Sequence, residues 1–145
     1  MYRDAAQEAR TAWNELFIEP ETGKTRNAKG VIQDTQASYA TPLRFHVISE
    51  ENLPRALENY LRTIEQPDVT DSDSLTVPAY SITTGFNATG NVLNALCDHG
   101  LSDTAYRMFT STDYAFWLYP VTQGATSIWE RWRSEERRVG KECRS

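Results

Sequence analysis

Two amphipathic segments separated by about three residues place the tightest constraint on what this chain can fold into. In the first, which starts near Thr89 or Asn91, Val92, Leu93, Leu96 and Cys97 form an apolar stripe at helical spacing. In the second, Leu101, Ala105, Met108 and Phe109 recur at i, i+4, i+7 and i+8, and Ser102 is placed to cap it. Gly100, directly after His99, is a natural stop for the first helix, because glycine enters the left-handed backbone region without a Cβ clash. A link this short forces the two helices to lie side by side and antiparallel.

The same periodicity extends upstream. Tyr2, Ala5, Ala6, Ala9, Trp13, Leu16 and Phe17 share one face of a helix over Tyr2 to Phe17, which Pro20 and Gly23 end. Residues 19–34 are polar with two glycines and read as a long loop. Tyr39, Leu43 and Val47 predict a helix from about Thr35 to Ile48. Pro42 inside it predicts a kink or a late start, because proline donates no backbone bond and clashes with the preceding turn. Leu53, Leu57, Tyr60, Leu61 and Ile64 predict a third helix from Leu53 to Glu65, with Asn52 as its cap and Pro54 tolerated in its first turn. Residues 66–80 form an acidic loop, and residues 81–90, bounded by glycine, a second ordered one. No segment carries a strand signal of weight. The expectation is an all-α fold of stacked antiparallel hairpins, with no repeat visible beyond that.

Charge and composition narrow the function. The 145 residues carry a net charge of −5, which argues against a nucleic-acid binder, since phosphate neutralisation needs clustered Lys and Arg. No run approaches the roughly 18–20 apolar residues of a membrane helix, so no membrane partner is expected. No signal-peptide pattern follows Met1, and the compartment stays open. Cys97 and Cys143 are too few for a disulfide framework and lack metal-ligand spacing. Cys97 reads as a buried small apolar side chain. His46 reads as a helix residue of the surface or core, and His99 as a helix-end residue facing the dipole. Asp68, Asp71 and Asp73 lack the glycine and terminal glutamate of a calcium loop and read as solvated. No metal or cofactor is expected.

From Asp113 to Trp132 the texture changes: DYAFWLYPVTQGATSIWERW is dense in aromatics and has no clean helical period. Three of the four tryptophans, Trp117, Trp129 and Trp132, fall here, and Glu130 stands between two of them. Indole faces stack on the apolar faces of sugar rings, and a carboxylate among them can act as acid or base on a glycosidic bond. On spacing alone the plainer alternative stands first: tryptophans in the core, with Glu130 paired to Arg131 or Arg133.

Residues 124–132, GATSIWERW, resemble the GATT-W-E-RW segment of bacterial α-L-rhamnosidases. Asp34 to Ala40 (DTQASYA) is similar to that family's G-T-Q-T-A-Y-A helix start, and Thr83-Thr84-Gly85-Phe86 resembles its T-T-G-F loop. Asp103 to Arg107 is similar to its D-L-A-Y helix, and Asp113 to Tyr119 stands where the family has a Y-P-S-W-G-Y-like element. The pieces occur in family order from about Ala5 to Trp132.

The resemblance implies part of an (α/α)6 toroid that cleaves terminal α-L-rhamnosyl residues by inversion, acting on a rhamnose-containing glycoside or polysaccharide. It implies Glu130 as the general base. The family's general acid lies in an earlier hairpin, at a position that no residue here occupies. Trp117, Trp129 and Trp132 are the candidate substrate-binding residues, although for Trp117 a core role stands equally open, and of Trp129 and Trp132 one is expected to face the cleft and the other to pack inside. Thr84 and Gly85 shape either the cleft rim or a purely structural turn. Residues 1–133 are then a fragment of the catalytic domain. Residues 134–145 (SEERRVGKECRS) stand where the family continues with an N-H-Y-A-like segment, and read as an unrelated or disordered tail. Hairpins cut from a closed ring leave apolar faces uncovered, so the isolated chain is expected to be poorly soluble or partly molten, and inactive. The alternatives are another six-hairpin glycosidase, a polysaccharide lyase, or a non-catalytic helical module that binds sugar.

Overall fold

A computed structural model describes residues 2–67, 69–70, 76–127 and 129. The sequence expectations for Glu130, Trp132, Asp68, Asp71, Asp73, Cys143 and residues 134–145 fall outside the described residues. The elements are α1 (Tyr2–Phe17), α2 (Gln36–Arg44), α3 (Leu53–Glu65), β1 (Val69–Thr70), β2 (Thr76–Val77), α4 (Phe86–Asp98), α5 (Ser102–Thr110) and α6 (Tyr119–Thr122). The architecture is all-α, as expected. Among the described residues the only named strands, β1 and β2, are two residues long each and pair antiparallel, too short to leave a sequence pattern. No described helix is long and apolar enough to cross a membrane.

The helices pack in the order α3, α2, α4, α5, each against the next. Thr35 starts α2 with a reciprocal capping box: its hydroxyl accepts from the Ser38 N–H, and the Ser38 hydroxyl accepts from the Thr35 N–H at 3.0 Å. The helix does not reach Ile48. It stops at Arg44, two residues past Pro42, and His46 takes φ +52° outside the helix rather than within it. The His46 N–H donates to Leu43 O and the Val47 N–H to Pro42 O, the paired bonds of a Schellman turn.

The α4–α5 link closes in the same way. The Gly100 N–H donates to Cys97 O and the Leu101 N–H to Leu96 O, with Gly100 at φ +77°. The two helix ends are neighbours: Arg44 pairs with Asp98 at 2.7 Å, and the rings of His46 and His99 meet edge-on at 5.9 Å. His99 is the C-cap of α4, as expected.

Three sequence expectations for this hairpin are corrected. Helix α4 begins at Phe86 rather than Thr89 or Asn91, with Gly90 inside it. A mid-helix glycine costs about 1 kcal/mol relative to alanine. Burial of Thr89, Val92, Ala95 and Leu96 outweighs it. Cys97 is exposed rather than buried, because the inward stripe runs through 92, 95 and 96 and turns position 97 outward. Ser102 is the first residue of α5 and not its cap; the cap position falls to Leu101, whose N–H is already used in the turn. Asn52 does precede α3 but makes no capping bond: its backbone is already helical, at φ −85° and ψ −20°, rather than in the extended conformation of a capping residue.

Helix α1 is attached by polar contacts. The Arg10 guanidinium donates to Ile48 O at 2.7 Å and the Asn14 amide to Val47 O at 2.9 Å. No α1 residue is buried; Trp13 alone of its apolar stripe packs on the main core, while Tyr2, Ala5, Ala6 and Ala9 stay exposed. After α1, Gly23 makes the turn back at φ +70°. A Cβ there would stand 2.5 Å from Arg55 Cβ. Gly23→Ala is therefore expected to destabilise the chain by about 2 kcal/mol in urea unfolding, combining left-handed strain with overpacking.

Candidate functional site

Four non-glycine residues adopt left-handed φ among the described residues, and three of them, Asp34 (+43°), Tyr80 (+67°) and Ala115 (+40°), meet at one end of the helices. This is the end where α2 and α4 begin and α3 and α5 finish. Each such residue costs on the order of 1–2 kcal/mol, and strain of this kind collects at functional sites. The surrounding structure holds all three. The Tyr80 N–H donates to Ile64 O at 2.6 Å, and the Arg107 guanidinium lies 3.6 Å over the Tyr80 ring. Ala115 O accepts from the Ile82 N–H at 2.7 Å, which ties the 80–85 loop to the aromatic loop.

Asp34 is held by charge. Its carboxylate accepts from Arg62 through both oxygens at 2.5 and 2.6 Å, from Lys24 at 2.8 Å and from the Tyr39 hydroxyl at 2.8 Å. Burial pushes this carboxyl up, but the bonds from Lys24, Tyr39 and Arg62 outweigh it, and the carboxyl titrates below its ordinary value. Burial, and then Asp34, push the Tyr39 phenol up, so it stays a neutral donor. A lowered folded-state pKa stabilises the fold above the ordinary carboxylate value and ceases to as pH falls through the lowered one. Asp34→Asn is expected to cost about 1–2 kcal/mol at pH 7, less than a fully buried pair because Arg62 is half exposed. Its stability in urea unfolding should also fall less steeply than that of the wild type below pH 4.

Gln36 sits one turn further in and is buried. Its amide nitrogen donates to Ser81 O at 2.8 Å and to Thr63 O at 3.4 Å, and its oxygen accepts from the Thr83 N–H at 3.1 Å. Ser81 Oγ, also buried, has no hydrogen-bond partner among the described residues. Thr84 is buried beneath the first turn of α4, with its hydroxyl 3.4 Å from that of Thr89. Its side chain is thus packed inside the turn, and Gly85 is the exposed N-cap of α4.

The aromatic loop completes this end. Trp117 is half-buried, stacks on Phe109 with centroids 6.1 Å apart, and packs against the core. Tyr114 meets Tyr119 edge-on at 5.3 Å, and Tyr119 meets Trp129 edge-on at 6.5 Å. Of the three candidate tryptophans, Trp117 is thus paired with Phe109, and Trp129 with Tyr119 of the Tyr114–Tyr119 pair. Trp132 and Glu130 lie outside the described residues. Sequence reading passed over Gln36, Asp34 and Arg107 as site residues; Asp34 and Gln36 stood inside the D-T-Q segment, but their partners are distant in the chain. A separate cleft of about 650 Å³ lies between α1 and the start of α3, lined by Arg10, Asn14, Glu15, Asn52 and Arg55, at the opposite end of α3.

A family model described as the bacterial alpha-L-rhamnosidase 6 hairpin glycosidase domain matches residues 1–145. The alpha-L-rhamnosidase of Formosa agariphila is 34% identical over 106 residues, covering 73% of this chain and 10% of that protein. That of Streptomyces avermitilis is 28% identical over 133 residues, covering 92% of this chain and 11% of that protein. Among solved structures, the Aspergillus terreus α-L-rhamnosidase superposes with a TM-score of 0.73 at 28% identity, over 94% of this chain and 14% of its own. The Streptomyces avermitilis enzyme complexed with L-rhamnose gives a TM-score of 0.73 at 29% identity, over 92% of this chain and 11% of its own. The chain spans about a tenth of the length of the curated relatives it matches.

Proposed function

The chain belongs to the bacterial alpha-L-rhamnosidase six-hairpin glycosidase family, and on that basis we propose that the polypeptide carrying it hydrolyses terminal α-L-rhamnosides by inversion, with Glu130 as general base. The observation that carries this reading is the convergence of three loops, 34–36, 80–85 and 113–119, on one strained end of the helices. The aromatic cluster there includes Trp129, the sequence neighbour of Glu130.

The chemistry follows from two carboxyl groups set about 6.5–9.5 Å apart. Glu130 takes a proton from water as the water oxygen bonds the anomeric carbon. On the opposite face the bond to the aglycone oxygen breaks, and that oxygen receives a proton from the general acid, which comes from outside these 145 residues. Water is the only co-reactant. Rhamnose is a 6-deoxy sugar, so its methyl group and C–H faces suit the indoles of Trp117, Trp129 and Trp132.

Stacking of this kind contributes about 0.5–1.5 kcal/mol beyond area burial. Trp129→Ala is therefore expected to raise KM for an aryl α-L-rhamnoside about tenfold with a smaller change in kcat. An unchanged KM removes Trp129 from the substrate site. A panel of aryl glycosides separates the rhamnosidase reading from other six-hairpin chemistries on the same fold.

A further inference from the structure

We propose that Gln36 is a positioning residue of this site, holding the 81–83 backbone in place and, through it, the loop that carries Trp117; the proposal rests on the preceding functional reading. One buried side chain, 2% exposed, uses both ends of its amide. The nitrogen reaches Ser81 O and, less closely, Thr63 O in the last turn of α3, while the oxygen takes the Thr83 N–H. Ile82, between the two held residues, is fully buried and donates its N–H to Ala115 O, two residues before Trp117.

The path from Gln36 to the aromatic loop thus runs from its side-chain amide through the 81–83 backbone to Ala115 O, with left-handed residues at Tyr80 and Ala115 on either side. An apolar residue of the same size would leave two carbonyls and one N–H without this partner in a buried place, where each missing bond is costly. A strained loop needs such a tie to stay in one arrangement. Of the charged groups at this end, Asp34, Lys24, Arg62 and Arg107 are engaged with one another or with Tyr39 and Tyr80, Glu65 and Asp113 are exposed, and none is bonded to Gln36 among the described contacts.

Two substitutions in the full polypeptide that carries this chain test the proposal. Gln36→Ala removes the tie. Gln36→Glu keeps its shape, and only its neutral acid can both donate to Ser81 O and accept from the Thr83 N–H; the ionised form still accepts from Thr83 but turns its other oxygen, now an acceptor, toward the Ser81 and Thr63 carbonyls. Burial favours the neutral form. Gln36→Glu is therefore expected to match wild-type KM for an aryl α-L-rhamnoside at pH 5 and to exceed it at least tenfold at pH 8. Gln36→Ala should show a raised KM at both.

Hydrogen–deuterium exchange supplies the arm that needs no activity. Gln36→Ala, or Gln36→Glu at pH 8 if the alanine variant fails to fold, should speed exchange in residues 80–86 about tenfold or more. The α4–α5 turn at 99–102 should be unaffected. Unchanged exchange in 80–86 overturns the tie. Faster exchange with an unchanged KM overturns the positioning role. A wild-type protein without rhamnosidase activity defeats the functional reading instead, and the exchange result still decides the tie.

Discussion

Replacing Glu130 by glutamine in the polypeptide that carries this chain is expected to lower hydrolysis of an aryl α-L-rhamnoside by about 10³-fold or more, with KM little changed. A positioned general base contributes typically about 10²–10⁴-fold. Glutamine keeps the size and one acceptor but cannot take the water proton or balance the charge that develops at the anomeric carbon. The proposed role assigns the acidic limb of the kcat/KM profile to Glu130, and that limb should disappear in the variant. Glu130→Ala with added azide provides a stereochemical check. Azide needs no deprotonation, and in an inverting site it attacks from the face of the missing carboxylate to give β-L-rhamnosyl azide. Normal hydrolysis by Glu130→Gln removes Glu130 from the role.

The second large effect concerns the fold that holds the loops. Tyr60 is fully buried on α3 and donates its hydroxyl to Val92 O on α4 at 2.9 Å. Its ring is 6.2 Å from that of Tyr39 on α2, so this one side chain ties α3 to two other helices. Tyr60→Ala is expected to cost about 3–5 kcal/mol, the usual range for deleting a large buried aromatic side chain. That is a large share of the roughly 5–15 kcal/mol of a typical domain. Tyr60→Phe keeps the ring and isolates the hydrogen bond, at about 1 kcal/mol. Urea unfolding of the two variants separates packing from hydrogen bonding. A cost below about 1 kcal/mol for Tyr60→Ala contradicts this picture of the core.

The helices were legible because their apolar stripes are local: Tyr39 and Leu43, Tyr60 and Ile64, Val92 and Leu96 all point inward as the spacing predicts. Helix ends were harder to place. The stop after Arg44 depends on His46 entering the left-handed region, which no residue type there announces. The early start of α4 depends on tertiary burial overriding Gly90. The α1 stripe has helical spacing, yet among the described residues most of it faces no partner, so periodicity gave the helix without the burial.

The aromatic density around Glu130 was visible in the sequence, whereas the hydrogen-bond network of Asp34 and Gln36 was not. Gln36 finds its partners 27, 45 and 47 residues away, and Asp34 meets Arg62 across 28. Only the folded chain brings those groups together.

The central claim is that the strained end of the helices is a rhamnose site. Hydrogen–deuterium exchange of the full polypeptide with and without L-rhamnose tests it most directly. Added protection is expected in residues 80–86 and 113–129, and none in the cleft formed by residues 7–20 and 49–55. Protection confined to that cleft, or none in 80–86 and 113–129 at saturating L-rhamnose, contradicts it.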